Sequence, residues 1–258
     1  MPQAQLVESV VTTFSIIEHL AQARRLVGVT ELAAAIDMPK PRIYRHLRTL
    51  LSRGYVMQEP QSEKYGLTMR LSHIGRVIAD QTEFHVELRS VMPALRERVR
   101  QTVVVGQIED DGVRVMEILR HPSAVEISSS PGTLFDFHCT AQGKVALAFG
   151  PPRLWKQLQR APLRRWTDAT KTDMDRLRAE VDRVRKRGWA VAPGEVLSGI
   201  NALAAPVFDG SGALTATIGI LGSTQHIAPR PTTELVSAVL AAAADLSQKL
   251  GYREAAVS

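Results

Sequence analysis

The stretch from Lys40 to Arg53 constrains this chain most, because it carries five basic residues (Lys40, Arg42, Arg45, Arg48, Arg53) and no acidic one. Ile43, Leu47, Leu50 and Leu51 recur in it at i, i+4, i+7 and i+8, the spacing of one helix face. The segment therefore reads as a helix with a buried apolar stripe. Arg42, Arg45, Arg48, Thr49 and Ser52 point the other way. Pro41 falls in the first turn, where its missing amide hydrogen costs nothing, and Gly54 stops the helix. A cationic outer face without a carboxylate suits a polyanion.

The flanking sequence gives that helix a context. Leu6, Val10, Phe14, Ile17 and Leu20 predict an amphipathic helix from Leu6 to Leu20 with those side chains as its buried stripe. Thr30 predicts a hydroxyl cap for a short helix from Glu31 to Ile36, and Asp37, Met38 and Pro39 make a tight turn. After Gly54, Tyr55–Glu59 and Lys64–Leu67 alternate as two strands around Pro60, Gln61, Ser62 and Glu63. Three helices with a tight turn before the third, followed by a two-stranded wing, make a winged helix-turn-helix. Its third helix fits the major groove of double-stranded DNA. Arg42 and Arg45 are then candidates for base edges, since a guanidinium can donate a bidentate pair to guanine. Thr30, Lys40, Arg48 and Lys64 are candidates for phosphates, and Tyr44, on the flank, for either. His46, beside the stripe, reads as packing. A merely solvated charged face is the plain alternative; the wing, the turn and the missing acids weigh against it.

From Met69 to about Arg89 the helical spacing returns through Leu71, Ile74, Val77 and Ile78, with no proline until Pro93. Residues 69–92 are read as a linker helix between a DNA-binding domain, 1–68, and a second domain, 93–258. Leu71, Ile74 and Ile78 are its candidate pairing surface, with intramolecular packing as the alternative. The second domain shows apolar strands over Thr102–Ile108, Val113–Leu119, Val125–Ser129, Trp189–Ala192, Ala202–Phe208 and Leu214–Leu221. Helices are expected over Ala141–Phe149, Leu154–Gln159, Thr172–Gly188 and Thr232–Leu250. The fold class is α+β, with a mostly antiparallel sheet.

A length of 258 residues and a hydrophobic content of 45% allow two cored domains, and the net charge of +6 fits an anionic partner. The lone cysteine, Cys139, excludes a disulfide framework and a cysteine-rich zinc module, so no metal or cofactor is expected and a reducing cytoplasm fits. No apolar run is long enough to span a bilayer, and Met1–Val10 lacks the features of a secretion signal, so no membrane partner is expected. No catalytic motif is legible. Phosphate loop, paired metal histidines and nucleophile elbow are absent. Asp110-Asp111 reads as a turn, and Glu180 and Asp182 as a solvated helix face. His138 and Cys139 could form a thiolate pair, a reading set against simple packing. A metabolite-processing enzyme with an incidental winged helix is the alternative function.

Several segments carry a family likeness. They are Val29-Thr30-Glu31-Leu32-Ala33, Met38-Pro39-Lys40 leading to Tyr44-Arg45-His46-Leu47, and Arg53-Gly54-Tyr55-Val56 with Tyr65-Gly66-Leu67. Others are His138-Cys139-Thr140-Ala141-Gln142-Gly143-Lys144, Arg187-Gly188-Trp189-Ala190-Val191 and Ala204-Ala205-Pro206-Val207-Phe208-Asp209. Through them the chain resembles the IclR (isocitrate lyase regulator) family of transcription factors over nearly its whole length. The resemblance implies a winged-helix reader, a linker helix and a GAF-like effector-binding domain. It also implies a homodimer or dimer of dimers on a palindromic operator, controlled by a small organic acid. That acid would meet Thr140, Ala141 and Gln142 at a helix N-terminus, where the amides and the dipole favour a carboxylate. The chain departs from the family's small-acid sensors at Ala192, Ala202, Gly219 and Leu221, where hydrogen-bonding side chains are common. A less polar pocket follows, and with it a bulkier effector such as an aromatic carboxylate. Ser129, Gln142 and Asn201 would form its polar end, and Leu134, Phe135 and Leu221 its apolar wall.

Overall fold

The computed structural model describes residues 6–81, 83–122 and 129–253, with the backbone alone at 76, 78–81 and 83. The chain divides between residues 82 and 83 into two compact units.

The first unit comprises α1 (Glu8–Ala23), α2 (Val29–Ile36), α3 (Lys40–Ser52), β1 (Val56–Gln58), β2 (Tyr65–Leu67) and α4 (Arg70–Gln81). Ile16, Leu20, Val27, Leu32, Ile43, Leu47, Leu50, Val56 and Tyr65 form its core. The strands pair antiparallel with Val56 opposite Leu67, and Val27 bridges to Tyr65 as a third rung. Gly54, at φ +72°, takes the left-handed conformation after α3. Its amide donates to Leu51 O and that of Tyr55 to Leu50 O, which satisfies two end carbonyls of the helix.

Three local expectations change. The buried line of α1 is Thr12, Ile16 and Leu20, while Leu6, Val10 and Phe14 stand exposed, Phe14 at 58%. This helix is apolar on two sides, and the Thr12 hydroxyl is made buriable by donating to Glu8 O, so apolar spacing alone selected the wrong side. Thr30 is not a cap: α2 starts at Val29 with Gly28 in the cap position, which leaves Thr30 exposed in the first turn. Leu51 is 41% exposed, at the edge of the stripe expected to bury it.

The second unit opens with α5 (Glu83–Val99), so the linker expected over 69–92 is two helices. Leu88, Val91, Met92 and Leu95 of α5 are buried in the second unit's core, and Pro93 sits inside the helix. In α4, Ile74 and Val77 are exposed, and the Ile78 side chain lies outside what is described.

The sheet of this unit runs β5 (Leu134–Phe135), β4 (Val113–Leu119), β3 (Thr102–Ile108), β8 (Leu214–Ser223), β7 (Ile200–Phe208), β6 (Ala190–Val191), every neighbour antiparallel. The strand expected at Val125–Ser129 falls outside the described residues except for Ser129, and the edge strand is Leu134–Phe135. Val103 and Val105 pack on one face with α5 and α9 (Thr233–Lys249). The other face carries α6 (Ala141–Phe149) and α8 (Met174–Arg187), with the short α7 (Arg153–Leu158) beside them. Asp173 caps α8 and Thr232 caps α9, each hydroxyl or carboxylate accepting an amide of the first turn. The result is a three-layer α/β/α domain in an α+β chain.

Candidate functional site

The cationic face of the first unit is assembled as its residues imply. Arg45 lies opposite the Ile43–Leu47–Leu50 stripe and is exposed with Lys40, Tyr44 and Arg48 on α3 and Lys64 on the wing turn. Arg42 is partly covered and ion-paired to Glu8 of α1 at 3.0 Å, an exposed pair of the weak kind. The His46 Nδ1 lies 2.8 Å from the Thr13 hydroxyl, and burial lowers the imidazole pKa, so it packs between α3 and α1.

In the second unit the eleven residues expected to meet an effector surround one cavity of about 360 Å³. The first turn of α6 contributes Thr140, Ala141 and Gln142; the sheet contributes Ala202, Gly219 and Leu221; Leu134 and Phe135 close one side, with Ser129, Ala192 and Asn201 at the edges. Gly219 is required to be small here, because an added Cβ would stand 2.5 Å from Leu203 O. The amides of Ala141 and Gln142 open α6, where no intrahelical acceptor reaches them.

The polar side chains of this cavity are more committed than the sequence suggests. Thr140 is the cap of α6: it accepts from Gly143 N at 3.0 Å and donates to Asp136 O. Asn201, fully buried, accepts from Ala192 N and Ala202 N and donates to Ile227 O and Ala228 O, so its hydrogen-bonding capacity is spent on backbone. It shapes the wall and does not supply a polar end. Gln142 Nε2 donates to Val104 O at 3.2 Å, leaving Oε1 as its open acceptor. Ser129 lies on the lining, its carbonyl accepting from Arg120.

Sequence reasoning missed Trp166, Val196 and Leu197, which line the cavity from loops without periodicity, and Ile200 at the start of β7. It also misread the charges behind them. Lys144 is fully buried, with Nζ 2.5 Å from Glu195 Oε1, 3.0 Å from Glu180 Oε1 and 3.2 Å from Val191 O. Glu180 is therefore a buried ion-pair partner and not a solvated helix charge. Burial pushes the Lys144 pKa down against the pull of Glu195 and Glu180. Burial would also raise the Glu180 pKa, but Lys144 and Lys171 outweigh it and hold it low. The sequence did carry a signal. Lys144 is the one charge in Ala-Gln-Gly-Lys-Val-Ala-Leu-Ala-Phe, a helix apolar all round, and such a helix is buried.

The thiolate pair fails on electrostatics: burial, the largest cause, pushes the Cys139 thiol up to about 12, and His138 Nε2 sits 2.8 Å from Arg164 O. Asp136, His138 and Cys139 bring ligand atoms within 4.8 Å of one another, yet Asp136 accepts from Trp166 Nε1 and His138 is held by that carbonyl.

Residues 9–60, which hold the three helices before the wing, match the IclR helix-turn-helix domain, and residues 77–248 match the C-terminal domain of bacterial IclR transcriptional regulators. The chain belongs to the IclR family. Escherichia coli KdgR, an HTH-type transcriptional regulator, is 30% identical over 253 residues, 98% of this chain and 96% of KdgR. The crystal structure of an IclR transcriptional regulator from Alicyclobacillus acidocaldarius agrees with a TM-score of 0.87 at 27% identity, over 96% of this chain and all of that one. An IclR homologue from Microbacterium hydrocarbonoxydans, solved with 4-hydroxybenzoate, shares the fold with a TM-score of 0.80 at 19% identity, over 92% of this chain and 98% of that one. This IclR-family chain is a DNA-binding transcriptional regulator with an N-terminal helix-turn-helix domain and a C-terminal α/β domain. Among its described helices none is long and apolar enough to cross a membrane.

Proposed function

We propose that the cavity of the second unit takes a small aromatic carboxylate and that its occupancy changes how tightly this regulator holds DNA. The observation that carries this is the cavity itself: about 360 Å³, walled by Leu134, Phe135, Ala192, Ala202, Gly219 and Leu221, with Gln142 and the start of α6 as its polar end. A carboxylate gains the α6 amides and helix dipole there, while a ring covers the apolar wall. A two-carbon acid would leave most of that wall uncovered and its own oxygens short of partners. The 4-hydroxybenzoate bound by the Microbacterium homologue belongs to the same chemical class. Thr140 and Asn201 spend their hydrogen bonds on backbone, which suits a binding site, and Gln142 Oε1 is left to meet a ligand.

On the DNA side, Arg45 and Arg42 read base edges from α3, with Lys40, Thr30, Arg48 and Lys64 on phosphates and Tyr44 at the flank. Self-association brings two such faces onto a palindrome in the cytoplasm. The exposed Val10 and Phe14 of α1 and Ile74 and Val77 of α4 are its pairing surface in the first unit. An effector shifts DNA affinity only by binding the two states of this assembly unequally.

Calorimetry of the full chain with 4-hydroxybenzoate and with glyoxylate tests the ligand class. We expect binding of the ring acid and little heat from glyoxylate. Tight glyoxylate binding with none of the aromatic acid overturns the reading.

A further inference from the structure

Three separate walls of the cavity meet behind it at one buried cluster of charge. Lys144 lies on α6, one turn after the residues that open onto the cavity; Glu195 belongs to the 192–200 loop that carries Val196 and Leu197. Lys171 completes the set, its Nζ 2.8 Å from Glu195 Oε1 and 2.9 Å from Glu180 Oε2. From Glu195 the connections continue to the third wall. Thr170 donates to Glu195 O at 2.6 Å and accepts from the amides of Trp166 and Thr167, and the Thr167 hydroxyl donates to Gly194 O. Trp166 lines the cavity beyond that turn.

Two carboxylates and an ammonium this deeply buried are a poor route to stability, because desolvation cancels most of their attraction and apolar residues of like size do as well. What the cluster does supply is direction. Apart from the cluster, backbone bonds hold this loop, Gly194 N donating to Ile200 O and Thr224 N to Gly199 O, while Leu197 lines the cavity at 54% exposure, so hydrophobic burial alone does not hold it in place.

We propose that Lys144 and Glu195 are positioning residues for the cavity. Their ion pair fixes the 192–200 loop, and through Thr170 the Trp166 wall, against the start of α6, and so sets the affinity for the acid bound there. The affinity part rests on the ligand reading above; the anchoring part does not.

The test uses the full chain with Lys144→Met, Glu195→Leu and the double variant. Each single change strands a buried charge and lowers the melting temperature; the double variant leaves one Lys171–Glu180 pair and recovers much of that loss. In the double variant without ligand, amide hydrogen exchange over 192–200 and at Trp166 and Thr167 speeds up about tenfold or more, with β7 and β8 otherwise as in the wild type. Affinity for 4-hydroxybenzoate falls by about tenfold despite the recovered stability. Wild-type exchange over 192–200 in the double variant overturns the proposal, and so does wild-type affinity, because the cluster then only stabilises the fold. If the wild type takes up no 4-hydroxybenzoate, the ligand reading fails by itself, and the exchange data still decide the anchor.

Discussion

Replacing Gly143 by alanine sets two physical effects against each other at the mouth of the cavity. Gly143 lies in the first turn of α6, its amide donating to the Thr140 hydroxyl. Helix propensity favours alanine over glycine by up to about 1 kcal/mol. Against it, an added Cβ would stand 2.4 Å from Phe137 O, 2.5 Å from Phe137 Cα and 2.7 Å from Phe137 C. All three are backbone atoms, so no rotamer relieves the contact and α6 must back off the chain by about 1 Å. Overpacking of this kind costs about 1–3 kcal/mol, with a backbone clash at the upper end, so the net loss is about 2 kcal/mol. In a unit of this size that lowers the melting temperature by about 4–8 °C. Gly75 of α4 supplies the counterpart, because an added Cβ there meets nothing within 4 Å and only the propensity gain remains. Thermal and urea unfolding followed by circular dichroism read both. A Gly143→Ala chain as stable as the wild type would refute the claim that close approach to Phe137 sets the seat of α6.

Three further outcomes are expected. Leu47→Ala, in the core of the small first unit, costs about 2–5 kcal/mol and moves only that unit's urea transition; loss of the second unit's transition as well would contradict the division at residue 82. With its thiol at about 12, Cys139 is ionised in roughly one folded molecule in 10,000 at pH 8, so a disulfide-exchange reagent labels it only after unfolding, and rapid native labelling contradicts its burial. Glu180 is held below its ordinary value of 4.5, so its stabilising contribution is present above pH 4.5 and fades as pH falls through the lower folded value. Glu180→Gln should flatten acid unfolding in that window, and an unchanged acid limb excludes Glu180 as a contributor.

The legible parts of this chain were those where one period dominates. In α3 the apolar and basic residues separate cleanly onto two faces, so the burial of Ile43, Leu47 and Leu50 and the exposure of Arg45 followed from spacing. In α1, apolar residues occupy two sides, and the one that faces the core is chosen by contacts with α2 and α3 that no local pattern contains. The strands β3, β4, β7 and β8 were found to within two residues at their starts and ends, because β3, β7 and β8 are buried over most of both faces, β4 is rich in apolar and β-branched residues, and strong turns bound them. The cavity's α6 and sheet walls were placed through the family likeness, whereas Trp166 and Leu197 sit on loops positioned by the buried cluster. Asn201 was recognised as a cavity residue, yet its role was misassigned, since its four backbone partners come from segments up to 27 residues away.

The most direct test of the account is a titration of duplex DNA, selected by the wild-type chain from a random pool, with and without 4-hydroxybenzoate. We expect steep weakening as salt rises and a shift in affinity of about fivefold or more with the acid. Arg45→Ala should lose preference for the selected duplex over random DNA, and Lys64→Ala should weaken both about equally. Binding that ignores the acid, together with an Arg45→Ala chain that keeps full preference, would contradict both the recognition face and its control.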